Sequence, residues 1–498
     1  MPRTATSAAD DRARPGRSAR LRRALAEAPW PLIALIALSV AALVGALIYP
    51  TYPNYDSYYS LIWGREVLDG HKPSFEAYKA PTEHPLAIAF GAALSLLGRS
   101  ADRIMVLATE VSFVVLCAGL YRLGRLVFTP LVGLAAGAIL CTRFDFPFLA
   151  ARAYVDIPYL ALVVWAAALE LERPRRGGPV WALLAAAGLL RPEGWLLAGL
   201  YFLWMASGTR SLGRWARYAA IAAIGPVAWA AVDYIATGNP LFSLQHTSGL
   251  AEELGRTKGL SEVPSAMQRF FFNLAKAPVV WASILGFALA LLMAPRRVVM
   301  PALLWLIGSA TFVMVGVGGF SVIDRYLLVP TLMMMIFAAV ALGGWTMLRE
   351  GALLRRLWAL GALGIVIYGA VFTVTHVKFS TFDNELRLRG DSHRSLVALL
   401  DDPAVRAGRR CGPVSVPTHK LIPDVRWILG ASEDEVVARS DDEAAGRIRR
   451  GVAIYVTERL ALLRQALVEK TDDPLDNVPM DGFEHIAVTD HYAAYARC

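Results

Sequence analysis

Apolar runs about twenty residues long recur along this chain between short arginine clusters, and that alternation restricts the fold more than any other feature. The first run, 29–49, is long enough to cross a hydrocarbon core at about 1.5 Å per residue. Arg12, Arg14, Arg17, Arg20, Arg22 and Arg23 precede it, a charge bias that holds an N-terminus in the cytoplasm. Further runs near 103–120, 131–148, 155–171, 180–190, 195–205, 219–235, 279–293, 299–317, 326–347 and 357–375 follow. Threaded alternately, they put Arg122 and Arg125, Arg173 to Arg176, Arg210 to Arg217, Arg296 and Arg297, and Arg349 to Arg356 on one side. The expected fold is a polytopic α-helical membrane protein of about eleven transmembrane helices, N-terminus inside, in a bacterial inner membrane.

Composition agrees. Of 498 residues 56% are hydrophobic and 18% charged, below the quarter typical of soluble domains. The net charge of +9 lies in clusters between apolar runs, which excludes a nucleic-acid-binding stripe. The first run is too long for the core of a cleavable signal and reads as an anchor. Residues 1–28 form a basic tail whose composition predicts disorder.

Two stretches interrupt the membrane pattern within the expected 29–377 domain. Residues 50–98 read as a first outer loop with short surface helices, and 237–275 as a second outer loop. From 378 to 498 the pattern changes to that of a soluble α/β domain on the outer side. Its strands are expected at 414–416, 452–456 and 483–488, and its helices at 393–400 and 458–469. Cys411 opens this domain's first strand and Cys498 ends the chain; in an oxidising compartment the two are expected to pair. Cys117 and Cys141 fall inside spans and read as apolar residues.

Ionisable residues recur at the outer ends of the spans. They are Asp56 beside Tyr55, Tyr58 and Tyr59; Lys79, Glu83 and His84; Arg143, Asp145, Arg152 and Asp156; Arg191 and Glu193; and Asp324 with Arg325. Charge near a bilayer is costly unless paired or facing water, so such positions mark functional sites. A shared cavity holding carboxylates and cations suits sugar transfer from a lipid phosphate. A carboxylate deprotonates the incoming hydroxyl and cations stabilise the departing phosphate. Taken singly, each has a plainer reading: Asp56 as a helix cap, Arg191 with Glu193 as a hairpin-tip pair, and the tyrosines as an interfacial belt.

Five segments, in order, carry a resemblance. Asn54-Tyr55-Asp56-Ser57-Tyr58-Tyr59 resembles the first-loop acidic motif of GT-C glycosyltransferases. Lys79-Ala80-Pro81-Thr82-Glu83-His84-Pro85-Leu86 is similar to a Lys/His-Pro-Pro-Leu segment of protein O-mannosyltransferases and aminoarabinose transferases, with a single proline here. Arg152-Ala153-Tyr154-Val155-Asp156 resembles their second acidic motif. Arg191-Pro192-Glu193 and Asp324-Arg325-Tyr326 resemble segments of bacterial members.

The resemblance implies inverting transfer from a polyprenyl-phosphate sugar to an outer-face acceptor, with no organic cofactor and the need for a divalent cation left open. It implies Asp56 as general base. Asp156 positions the acceptor, assists Asp56 or helps hold a cation. Lys79, His84, Arg152, Arg191 and Arg325 are candidates for the donor phosphate, with Lys79 and His84 as alternatives in one role. Tyr55, Tyr58, Tyr59, Glu83 and Glu193 are candidates for sugar or acceptor contact. The competing reading is a transporter or lipid flippase, which would place ionisable groups near mid-membrane in broken helices.

Overall fold

The computed structural model describes residues 29–498 except 377 and 447; the basic tail over 1–28 lies outside the described residues. The chain is mostly helical, with apolar helices and one small C-terminal sheet. Helix α1 (Trp30–Ile48) is followed by α2 (Tyr55–Leu68), α3 (Pro85–Ser95), α4 (Ala101–Val127), α5 (Pro130–Cys141), α6 (Asp145–Ala151) and α7 (Asp156–Glu172). Then come α8 (Gly178–Leu190), α9 (Glu193–Ser207), α10 (Leu212–Ala222), α11 (Ile224–Thr237), α12 (Phe242–Glu253) and α13 (Val263–Ala275). After these come α14 (Ala277–Met293), α15 (Pro295–Val317), α16 (Leu328–Gly343), α17 (Leu353–His376) and α18 (Phe379–Asp401), with shorter helices further along the tail.

The eleven apolar runs are helical, but they are not eleven straight rods. Among the described residues five helices are long and apolar enough to cross a membrane, and three bent pairs raise that number to eight. The pair α5–α6 bends by 66° and α13–α14 by 101°. Helix α16 is buried along almost its whole length and packs against α14, where Gly286 lies against the backbone of Phe337 with no room for a Cβ. By contrast, α1 and α17 expose nearly all of their apolar surface, as helices facing lipid do.

The two interruptions depart from expectation. Of the two helices in 50–98, α2 is not a surface helix: its Tyr58, Tyr59, Leu61, Ile62 and Trp63 are fully buried. Helix α2 lies between the helical bundle and the C-terminal domain, and at Gly64 and Gly91 its backbone meets that of α3 directly. A polar loop sequence conceals this burial, because the tail covers α2 from far along the chain. The 237–275 segment is largely helical, formed by α12 and α13.

In the tail, β1 (Val414–Val416), β2 (Val436–Ala438), β3 (Gly451–Val456), β4 (Glu484–Val488) and β5 (Tyr492–Arg497) form one sheet in the order β2-β1-β3-β5-β4. β1 runs parallel to β2 and β3, while β5 runs antiparallel to β3 and β4. The helix expected over 458–469 is only a short turn, Arg459–Ala461, running into a π-helical turn, Leu462–Ala466. Val416, Ile454, Leu399 and Val425 are among the residues of the domain's core. Cys411 and Cys498 are joined by a disulfide. The domain is anchored on the 50–98 segment by Arg426, which is fully buried and 2.7 Å from Glu66, and by the Tyr78 hydroxyl, which donates to the carbonyl of Ser440.

Candidate active site

The N-terminus of α2 is shaped by Asn54, whose side chain accepts from the backbone N–H groups of Asp56 (2.8 Å) and Ser57 (3.3 Å). The cap is therefore Asn54, which leaves the Asp56 carboxylate available. Asn54 also donates twice to the Arg152 carbonyl, and Ser57 Oγ donates to the Ala153 carbonyl at 2.6 Å. These bonds tie the start of α2 to the turn that opens α7, where Ala153 takes a left-handed φ of 55°. Asp56 and Asp156, a hundred residues apart in sequence, are brought to one site by this tie.

Arg325, on the 3₁₀ turn Asp324–Leu327, completes it. Its Nη1 lies 3.5 Å from Asp56 and 3.4 Å from Asp156. The other Asp156 oxygen pairs with Arg191, whose Nη2 reaches Glu193 at 2.7 Å. Asp156 is 1% exposed, whereas Asp56 is 21% exposed. Helix α7 carries Asp156 at one end and Glu172 at the other, roughly 24 Å away by helical rise. Glu172 pairs there with Arg122 and Arg176, so an arginine cluster lies opposite the site.

Asp56, Arg191, Glu193 and Arg325 face a cavity of about 700 Å³. Lys79, Arg256, His419, Lys420 and Glu469 line the same cavity, the last three from the tail. Glu469 lies 2.7 Å from Arg256 and 2.8 Å from Lys420. Lys79 is held at a left-handed φ of 51°, a strained conformation for a side-chain-bearing residue and one that clusters at functional sites. Tyr55 is beside it, donating from its hydroxyl to the Lys79 carbonyl at 2.8 Å. Trp195 and Trp229 line the apolar part of the cavity, edge to face at 5.6 Å.

Several expected site residues lie elsewhere. Tyr58 and Tyr59 are fully buried: Tyr58 stacks with Tyr52 and His393, and Tyr59 packs between Tyr55 and Trp63. Of that motif Asn54, Tyr55 and Asp56 line the cavity, and the helical turn carries Tyr58 and Tyr59 away from it. Arg152 does not line the cavity; its guanidinium lies over the Tyr52 ring at 4.1 Å and donates to the Pro53 carbonyl. Glu83 is fully buried and does not line the cavity either, and burial pushes its carboxyl up to about 7. His84 does line the cavity, edge-on to Trp229, but burial lowers its imidazole to about 4, which removes its charge near neutrality. Arg143, which donates to the Ala275 carbonyl, and Asp145 are outside as well.

Lys420 and Glu469 carry no signal in the sequence. Both come from the tail and reach the cavity only because that domain folds back over α2. His419 sits beside them with its imidazole held well below its ordinary range by burial and by Lys420, Lys79 and Arg256. Among the described residues no group of three or more His, Cys, Asp or Glu side chains gathers as metal ligands.

No family model and no curated protein matches the chain by sequence; its likeness is three-dimensional. ArnT from Cupriavidus metallidurans bound to undecaprenyl phosphate superposes with a TM-score of 0.55 at 13% identity, covering 93% of this chain and 97% of that one. The apo state of the same protein gives 0.56 at 15% identity over the same shares. The apo oligosaccharyltransferase of Archaeoglobus fulgidus gives 0.50 at 10% identity, covering 88% of this chain and 70% of that one. The chain shares its fold with these two proteins. At these identities the likeness extends to the fold, and what the cavity does is argued from its own residues.

Proposed function

We propose that this protein is an inverting membrane glycosyltransferase that moves a sugar from a polyprenyl-phosphate donor to an acceptor hydroxyl at the outer face of the bacterial inner membrane. The observation that carries the reading is Arg325 standing between Asp56 and Asp156 at the edge of one cavity that Lys79, Arg256 and Lys420 also line. Asp56, the more exposed carboxylate, takes the acceptor's proton as its oxygen attacks the anomeric carbon. The carbon–oxygen bond to phosphate breaks, the bond to the acceptor forms, and a single displacement inverts the centre. Asp156 is a positioning residue: with Arg191 and Glu193 it fixes Arg325, which in turn orients Asp56.

Arg191 and Arg325 are already engaged by three carboxylates, so they offer a phosphate little uncompensated charge. Arg256 and Lys420 share one carboxylate, Glu469, and Lys79 lines the same cavity; that excess of positive charge suits the departing phosphate better. Lys79 rather than neutral His84 fills the role that the motif left open. Asp56 and Asp156 would be the residues to hold a divalent cation, which would supply positive charge beside the reacting centre; here the Arg325 guanidinium supplies such charge to both. Glu193 and Tyr55 face the sugar or acceptor, and the tail closes the cavity.

A transporter is not favoured, because the ionisable pairs gather at the helix ends around one cavity. The test is to supply purified protein with a panel of polyprenyl-phosphate sugars and measure which is consumed. Failure to consume any donor, with undecaprenyl phosphate also failing to bind, would defeat the reading.

A further inference from the structure

Of the carboxylates lining the cavity, Glu469 is the one paired, among the described residues, with Arg256 and Lys420. It lies on the loop after the π-helical turn Leu462–Ala466, outside any strand of the tail sheet. Its oxygen Oε1 contacts Arg256 on one side and Lys420 on the other, at 2.7 and 2.8 Å. The contact to Arg256 bridges elements far apart in sequence: Arg256 follows α12, while Lys420 and Glu469 belong to the tail. One oxygen accepting from two cations is how a phosphate oxygen would be held there. Burial alone would raise its carboxyl, yet Arg256 and Lys420 outweigh burial and hold it below its ordinary range. The group is therefore an anion near neutrality.

We infer that Glu469 is a built-in stand-in for the donor's phosphate: it neutralises Arg256 and Lys420 in the empty cavity, yields them to the lipid phosphate, and returns to expel the spent lipid. This rests on the donor reading given above. Its chemical logic lies in the charge change during transfer. The donor's phosphodiester carries one negative charge, whereas the polyprenyl phosphate left behind is a monoester carrying about 1.5 to 2 near neutrality. Cations that bind the donor adequately therefore bind the product more tightly, and turnover needs a competitor. Glu469 does not have to travel far to act as one. The backbone N–H groups of Val468 and Glu469 donate to the Asp472 carboxylate at 2.8 and 2.7 Å. That bond pair holds the loop in place while the Glu469 side chain swings aside.

The experiment measures binding of undecaprenyl phosphate to the full chain in lipid nanodiscs for the wild type, Glu469→Gln and Glu469→Asp. Removing one charge at this distance in a partly solvated site is expected to tighten binding about ten-fold in Glu469→Gln. Glu469→Asp, which keeps the charge but withdraws it by one methylene, is expected to fall between. Should Glu469→Gln fail to fold, Glu469→Asp gives the same reading at smaller amplitude. In multiple turnover, Glu469→Gln is expected to be inhibited by lower concentrations of added undecaprenyl phosphate. Unchanged or weaker binding in the folded variants, with the wild type binding normally, overturns the role of Glu469 alone. A wild type that does not bind undecaprenyl phosphate overturns both this inference and the donor reading.

Discussion

Replacing Asp56 and Asp156 separately with asparagine divides the chemistry of the site from its scaffold. The two carboxylates share Arg325 at nearly equal distances, 3.5 and 3.4 Å, yet their surroundings differ. Asp56 and Arg325 are 21% and 26% exposed, and the worth of such partly solvated pairs is about 1 kcal/mol or less. Asp156 is 1% exposed and also pairs with Arg191, which is 8% exposed; breaking a buried pair by removing one partner costs about 3–5 kcal/mol. Glu193 still holds Arg191 after the change, so the lower end, about 3 kcal/mol, is expected. Asp56→Asn should therefore unfold like the wild type while losing roughly 10²–10⁴ in turnover, the usual contribution of a general base. Asp156→Asn should lose turnover and stability together. The assays are single-turnover transfer from the preferred polyprenyl-phosphate sugar and thermal unfolding of each protein in the same nanodiscs. An active Asp56→Asn, or an Asp56→Asn as unstable as Asp156→Asn, refutes the division of labour.

Lys79→Gln and Arg256→Gln should each raise the donor KM by roughly ten-fold or more, the worth of a charge-assisted hydrogen bond of about 1.5–3 kcal/mol, with a smaller effect on kcat; an unchanged KM would move the phosphate elsewhere. A chelator should leave turnover of the purified enzyme intact, because Arg325 stands between the aspartates; loss of activity restored by added divalent cation would contradict that. Asp424 in the tail has its carboxyl pushed up to about 7 by burial. The folded state thus keeps a proton that the unfolded chain releases at about pH 4. Its contribution favours folding below that pH and declines as pH rises towards about 7. Asp424→Asn should flatten this part of the pH–stability profile, as read by thermal unfolding between about pH 4 and 8.

Much of the helical architecture is written locally. Runs such as 103–120 and 326–347 cannot remain in water, and their length and apolarity define helices without reference to anything else. The tail strands at 414–416 and 452–456 are equally legible, whereas β2 and β5 are not: β2 is three residues long, and β5, Tyr492–Arg497, is rich in alanine. Asp56, Asp156, Arg191 and Arg325 stand out because an ionisable residue at a span's end is expensive and needs a reason.

Local chemistry thus settles the set of helices and which charges must find partners, and three dimensions decide which partners they find. Tyr58 and Arg152 look as eligible in sequence as Tyr55 and Arg191, but helical periodicity and the covering tail turn them into core. Lys420 and Glu469 look like ordinary surface charges until the tail docks on α2 and carries them into the cavity wall. The physical reason is range: apolar transfer acts residue by residue along the chain, whereas an ion pair depends on a few ångströms between groups that the chain separates by hundreds of residues.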